Sequence, residues 1–202
     1  MAKIKLTKTE LKAQQDDLKR YQRFLPTLQL KKQQLLLEMR SSAVRLRENE
    51  DEEAALRKQL AGWVAIFGDE RLLETVPSLL SIVEIDKGTA NIAGVTVPVF
   101  RKVEFETKPY DLFAADFYLD AVLEAVRQVI SVQEAHRVLE EQYRLLAAEL
   151  ATTTQRVNLF EKVKIPECKE NIRKIRIYMG DQDTAAVARS KIAKRKSQET
   201  AA

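Results

Sequence analysis

The stretch Ser81-Ile-Val-Glu-Ile-Asp-Lys-Gly-Thr-Ala-Asn-Ile-Ala-Gly-Val-Thr-Val-Pro-Val-Phe-Arg-Lys-Val-Glu-Phe105 differs from everything on either side of it. It is rich in β-branched residues and alternates in places, which is the pattern of strands. Ala93-Gly94 is the natural turn, because glycine accepts a positive φ without steric cost. The reading is a hairpin with strands near Ile82–Ile92 and Val95–Phe105 and a turn framed by Asn91, Gly94 and Pro98. Pro98 has no amide hydrogen, so its backbone must face an open edge or a bulge.

Outward from the hairpin the period changes. From Ile4 to Phe67 there is one proline, Pro26, and one glycine, Gly62. The apolar positions Ile4, Leu11, Leu18, Tyr21, Leu25, Leu28, Leu35, Met39, Leu46, Leu56, Leu60, Trp63 and Phe67 step by threes, fours or their sums. That is a coiled-coil seam, on a helix roughly 95 Å long if unbroken. Its Arg45–Lys58 section is highly charged and puts Asn49 and Glu53 on the seam, so a solvated, weakly packed section is expected. Beyond the hairpin, Leu119, Val122, Val126, Val129, Val132, His136, Leu139, Tyr143, Leu146, Leu150, Val157 and Phe160 form a second seam. Its phase slips by one residue and resumes at Ile165, Cys168, Ile172, Ile175 and Met179. The slip coincides with Pro166, where a bend or an overwound turn is expected.

Smaller signals join these parts. Gly68-Asp-Glu reads as a helix stop. Arg71 to Leu80 reads as a short helix with Pro77 inside or ending it. Asp111 is the candidate N-cap of a second long helix from Leu112. The expected divisions are an N-terminal coiled-coil helix over 1–68, a short helix and hairpin head over 69–110, a C-terminal coiled-coil helix over 111–182 and a basic tail over 183–202. The fold class is mainly α: a long antiparallel two-helix coiled coil with a small central β-hairpin head. Pairing within the chain buries both stripes without the entropy cost of association. Setting Phe67 against Ala115 puts Leu11 near Asn171 and Leu46 near His136, with the termini at one end, the hairpin at the other and the last twenty residues overshooting the N-terminus.

Composition agrees. The 202 residues include five glycines and five prolines, too few for an all-β chain full of tight turns. Charged residues are 32% and aromatics 6%, the balance of long exposed helices. The net charge of +4 is too balanced to name nucleic acid as the partner. One cysteine and one histidine build neither an internal disulfide nor a zinc site. The first residues lack the apolar core of a signal peptide, and no run approaches ~18 apolar residues. No glycine-rich phosphate loop, HExxH, CxxC or nucleophile elbow occurs, so no catalytic, cofactor or metal residues are expected. His136 reads as a seam histidine hydrogen-bonded to a polar neighbour such as Asn49, and Cys168 as a small apolar residue.

Two surfaces stand out. Lys3, Lys5 and Lys8 crowd the first helix's start, and Arg189, Lys191, Lys194, Arg195 and Lys196 crowd the end of the chain. Antiparallel folding would collect both clusters at one tip, either as a solvated tail or as a tip seated in a protein cavity. No aromatics interleave them to stack on bases. In the hairpin half, Leu56, Trp63, Val64, Leu119, Val122 and Leu123 offer more apolar surface than one seam consumes. The surplus either docks a small partner or packs under the hairpin itself.

Four segments carry a family resemblance. They are Leu6-Thr-Lys-Thr-Glu-Leu11, Leu25-Pro-Thr-Leu-Gln-Leu-Lys-Lys-Gln-Gln-Leu35, Asn91-Ile-Ala-Gly-Val-Thr-Val-Pro98, and Arg156-Val-Asn-Leu-Phe-Glu-Lys-Val-Lys-Ile-Pro166, the last followed by Lys191-Ile-Ala-Lys-Arg-Lys196. In this order they resemble the D-subunit family of the vacuolar/archaeal-type rotary ATPases, the central rotor shafts, in its bacterial branch. The resemblance implies a non-catalytic subunit standing in a ring of catalytic and non-catalytic head subunits. It would couple ATP hydrolysis or synthesis there to proton or sodium translocation through a membrane ring. The termini would point into the head. The hairpin end would meet a small central-stalk subunit and a funnel subunit that joins the membrane ring. No cofactor, nucleic acid, membrane insertion or homo-oligomer is implied, and the location is cytoplasmic, at the membrane through the complex. A static coiled-coil tether or secretion-machine stalk would explain the helices but not the hairpin motif. A nucleic-acid-binding helical hairpin would explain only the basic tip.

Overall fold

The computed structural model describes residues 4–61, 70–111 and 118–200, without the side chains of 70–74 and 199–200. The elements are α1 (Lys8–Ala61), α2 (Glu70–Leu79), β1 (Leu80–Ile92), β2 (Val95–Thr107), α3 (Leu119–Asn158), a π-helical segment (Leu159–Lys164) and α4 (Ile165–Thr200). The chain is mainly α with one small antiparallel hairpin, as the periodicities require. The helix stop at Gly68, the surplus residues Trp63 and Val64, and the start of the second helix at Leu112 lie outside the described residues. The chain forms two compact units, Met1–Lys32 with Thr152–Ala202, and Gln33–Ala151.

In the first unit α1 opens on a cap. Thr7 Oγ1 accepts from the Glu10 amide at 3.3 Å and the Thr7 carbonyl accepts from the Leu11 amide at 2.9 Å. Thr7-x-x-Glu10 is a capping-box spacing, which gives the Leu6–Leu11 motif its physical reason. Pro26 sits inside the continuous α1. The helices pair antiparallel: Gln14 Oε1 accepts from Asn171 Nδ2 at 3.2 Å, and the Tyr21 and Phe160 rings lie 5.1 Å apart. Cys168, Asn171, Ile172 and Ile175 are buried, so the resumed seam is the one the sequence marks.

Between the two phases of that seam the backbone is π-helical, and the Ile165 amide donates to the Phe160 carbonyl. In place of the expected bend or overwound turn, the turn before Pro166 is underwound. A π turn takes up one extra residue, which is the one-residue slip between Phe160 and Ile165. The wider turn also relieves the crowding of the Pro166 ring against the preceding turn. Nothing interrupts the helix at 182, where a tail was expected to begin: α4 runs to Thr200.

In the second unit every α1 seam residue is buried or half-buried, and Leu35, Ser42 and Asn49 are buried. On α3, Tyr143 departs from the expected seam and is exposed. Glu134, Val138 and Gln142 are buried off the seam, in line with the buried seam residue Leu146. These are four residues apart and make a second covered face, because the hairpin lies on it. Val97 of β2 packs with Leu35 and Leu146, and Ala90, Ile92, Ala93 and Val95 surround the contact.

The hairpin pairs thirteen-residue strands joined by Ala93-Gly94. Ala93 has φ 51° and Gly94 φ 80°, the left-handed pair of a two-residue turn. Asn91 Oδ1 accepts from the Gly94 amide at 2.9 Å. Alanine at positive φ is strained, and its methyl is held in the Leu35–Leu146 contact. The register skips Val83 on β1 and Arg101 on β2. One bulge per strand restores the pairing beyond them. Pro98 lies opposite Thr89, in regular register, and its carbonyl accepts from Gln142 Nε2. That carbonyl points out of the ladder, and in an antiparallel pair the nitrogen of the same residue points the same way. Pro98 thus uses the open edge and needs no bulge.

Candidate functional site

The basic end is built on two helices. Lys5, Lys8, Arg189, Lys191, Lys194, Arg195 and Lys196 are all exposed, and Lys3 lies outside the described residues. With Gln14 beside Asn171, Lys8 stands level with about Ile177 of α4. Lys191 is fourteen residues further on, about 21 Å at the helical rise. The two clusters are therefore staggered at this end, as the expected overshoot of the last twenty residues requires. The C-terminal cluster projects along α4 past the N-terminal one. Val187 and Ile192 are exposed among its charges.

The hairpin half consumes the apolar surplus. Leu119 and Leu123 are buried against Val76, Leu79, Leu80, Tyr110 and Tyr118, and Val122 is fully buried. These three residues are not free surface, and α2 and the base of β1 cover Leu119 and Leu123. The Lys108 amide donates to the Leu79 carbonyl at 2.9 Å and closes the hairpin base. Leu56 is half-buried and lines a groove of about 410 Å³ with Phe105, Val132 and Arg127. Arg127 donates to Thr107 Oγ1 and, at 3.3 Å, to Glu124, while its buried Nε has no partner. Tyr110 donates to Asp120, and this bond raises the tyrosine pKa. Among the described residues of this unit, apolar surface is left outside on β1, at Ile82 and Val83, and on α1, at Leu36, Leu37 and Val44.

Sequence reasoning missed Gln142 and Arg127, which tie the hairpin to α3. A signal existed for the covered face: Val138 is apolar one step off the seam. Nothing in the spacing marks a glutamine that will find a proline carbonyl 44 residues away.

The charged part of the seam is better packed than its composition suggests. Asn49 is buried, and its Oδ1 lies 3.1 Å from His136 Nδ1. Glu53 accepts from Gln133 at 3.3 Å and from Arg57. These bonds, Arg57 first, hold the Glu53 carboxyl below the usual glutamate range. In the other unit, burial, and then the charges of Asp17 and Glu167, push the Cys168 thiol up, which keeps it an inert packing residue. Among the described residues no group of three or more His, Cys, Asp or Glu is placed to hold a metal ion. No helix among them is long and apolar enough to cross a membrane.

The family model for the ATP synthase D subunit matches residues 10–195. The chain belongs to the ATP synthase D-subunit family. It is 43% identical to the V-type ATP synthase D subunit of Borreliella burgdorferi over 96% of this chain and 95% of that one. It is 32% identical to the protein of the same name from Chlamydia muridarum, over 98% of each chain. It is 31% identical to that of Chlamydia pneumoniae, over 96% of this chain and 92% of the relative. Members of this family are components of a multisubunit complex. The match runs through both units and the hairpin between the long helices, so the hairpin belongs to the family's chain and is not an addition to a generic coiled coil.

Proposed function

We propose that this chain is the central-stalk shaft of a V-type ATP synthase, coupling ATP hydrolysis or synthesis in the head to ion movement through the membrane ring. The observation that carries the reading is the family match over residues 10–195. The antiparallel helix pairing suits a part that must transmit torque, because each helix is held against rotation by its partner. The chain performs no catalysis of its own. The unit holding the termini takes the surrounding head subunits, with Lys5, Lys8 and the Arg189–Lys196 cluster against them. The hairpin unit takes the small central-stalk subunit and the funnel subunit, through Ile82, Val83 and the Leu56–Phe105 groove rather than through the buried Leu119, Val122 and Leu123. The chain is held at the membrane only through the complex and does not pair with itself.

The test is a complex rebuilt with and without this chain. An affinity-tagged chain should bring down head and stalk subunits. Vesicles carrying the complete complex should show ATP-driven ion uptake, and complexes lacking the chain should hydrolyse ATP without uptake. A chain that brings down no head subunit and whose loss leaves uptake intact would be a static tether instead.

A further inference from the structure

In the unit that holds the termini, Lys19 of α1 and Lys169 and Arg176 of α4 line one groove of about 580 Å³ with Gln15. Its floor is Leu18 and Ile172, and no carboxylate lines it among the described residues. Coiled coils ordinarily place opposite charges at the positions flanking the seam, and like charges there weaken the pairing. Around this groove the charges of both helices are positive, while the nearby carboxylates Asp17 and Glu167 stand toward Cys168. Lys169 and Arg176 are seven residues apart and share a face of α4; Lys12 stands seven residues before Lys19 on α1. Among the described residues, none of Lys19, Lys169 and Arg176 has an ion-pair or hydrogen-bond partner. Other cations on the same helices do: Arg20 pairs with Asp17, and Arg173 and Lys174 with Glu170. Carboxylates are thus present at helical spacing but are directed elsewhere. Left alone, this groove sets three like charges over an apolar floor.

We infer that the groove docks an acidic extended segment of a head subunit, with its carboxylates between Lys19, Lys169 and Arg176. This rests on the central-shaft reading above. Seven helical residues span about 10 Å, the length of about three residues of extended chain, so two or three acidic residues fill the site. The contact is salt-sensitive, because exposed charges are screened beyond about 10 Å at 0.1 M salt.

The full-length chain is tested free and bound to the head subunits. In the free chain Lys19→Glu places a carboxylate opposite Lys169 and turns repulsion into attraction, so the melting temperature should rise by about 1–3 °C. In the complex the same change repels the acidic segment, so the salt concentration that strips the shaft from the head should fall at least twofold. Lys19→Gln should be intermediate in both. A hexaglutamate peptide should raise the melting temperature of the wild-type chain and not of Lys19→Glu. No change in either the free chain or the complex would overturn the groove proposal and leave the shaft reading standing, provided the wild-type chain still binds the head. Failure of the wild-type chain itself to bind the head would overturn the shaft reading. Stabilisation by inorganic tripolyphosphate but not by hexaglutamate would overturn the acidic-peptide assignment in favour of a phosphate ligand.

Discussion

Asn49 and His136 meet across the helix pair with 3.1 Å between Oδ1 and Nδ1, and Asn49 is buried. A polar pair with one buried and one half-buried member specifies register, because a slip takes the buried Asn49 away from its partner. Removing one partner strands the other. His136→Leu alone should therefore cost about 1–3 kcal/mol, and Asn49→Leu a similar amount. The double change should cost less than the sum. Urea unfolding of the four proteins gives the coupling, and strict additivity would mean the bond does not contribute.

The hairpin is held on the helices by a small core. Leu146 is fully buried against Leu35 and Val97, and its removal leaves a cavity under the turn. Leu146→Ala should cost about 2–5 kcal/mol in denaturant unfolding. Val97→Ala should be non-additive with it, because the two share that cavity. Independent effects would place the two side chains in separate packing units.

The π segment answers the phase slip, and Pro166 is accommodated by it. Pro166→Ala alone should keep the π turn, since the seam still needs the extra residue. Deleting Val163, which is exposed, in the Pro166→Ala background should give an ordinary α-helix with Val157, Phe160, Ile165 and Cys168 still on one face. Its melting temperature should match that of Pro166→Ala. Deleting Ala151 instead should lower it sharply, because every later seam residue rotates off the interface. Equal losses from both deletions would contradict the phase account.

Glu53 supplies an acid-dependent contribution. Its folded pKa is depressed, by Arg57 and then Gln133, so its contribution is fully present above the ordinary glutamate value of about 4.5. That contribution is lost as pH falls through the depressed folded value. Glu53→Gln should flatten the melting-temperature profile between about pH 5 and 2 relative to wild type. An unchanged slope would mean that Glu53 does not take part.

Some of this molecule was legible in the order of its residues. The seam of α1, the return of the seam after Pro166 and the Ala93-Gly94 turn follow from local rules, and laying the two seams side by side brings Asn49 near His136. Heptad spacing fixes which side chains share a face, and a left-handed turn needs glycine at its second position. Such rules act over one or two turns of chain, so a single sequence contains them whole.

What only the tertiary structure decided is which faces are covered. Leu119 and Leu123 read as surplus surface until α2 and the base of β1 close over them. Glu134, Val138 and Gln142 read as flank until the hairpin lies on that side of α3, and Tyr143 reads as seam although it is left outside. Each of these outcomes rests on contacts between residues far apart in the chain. Their geometry is set by the docking of whole elements, and the periodicity of one element cannot encode where another will rest.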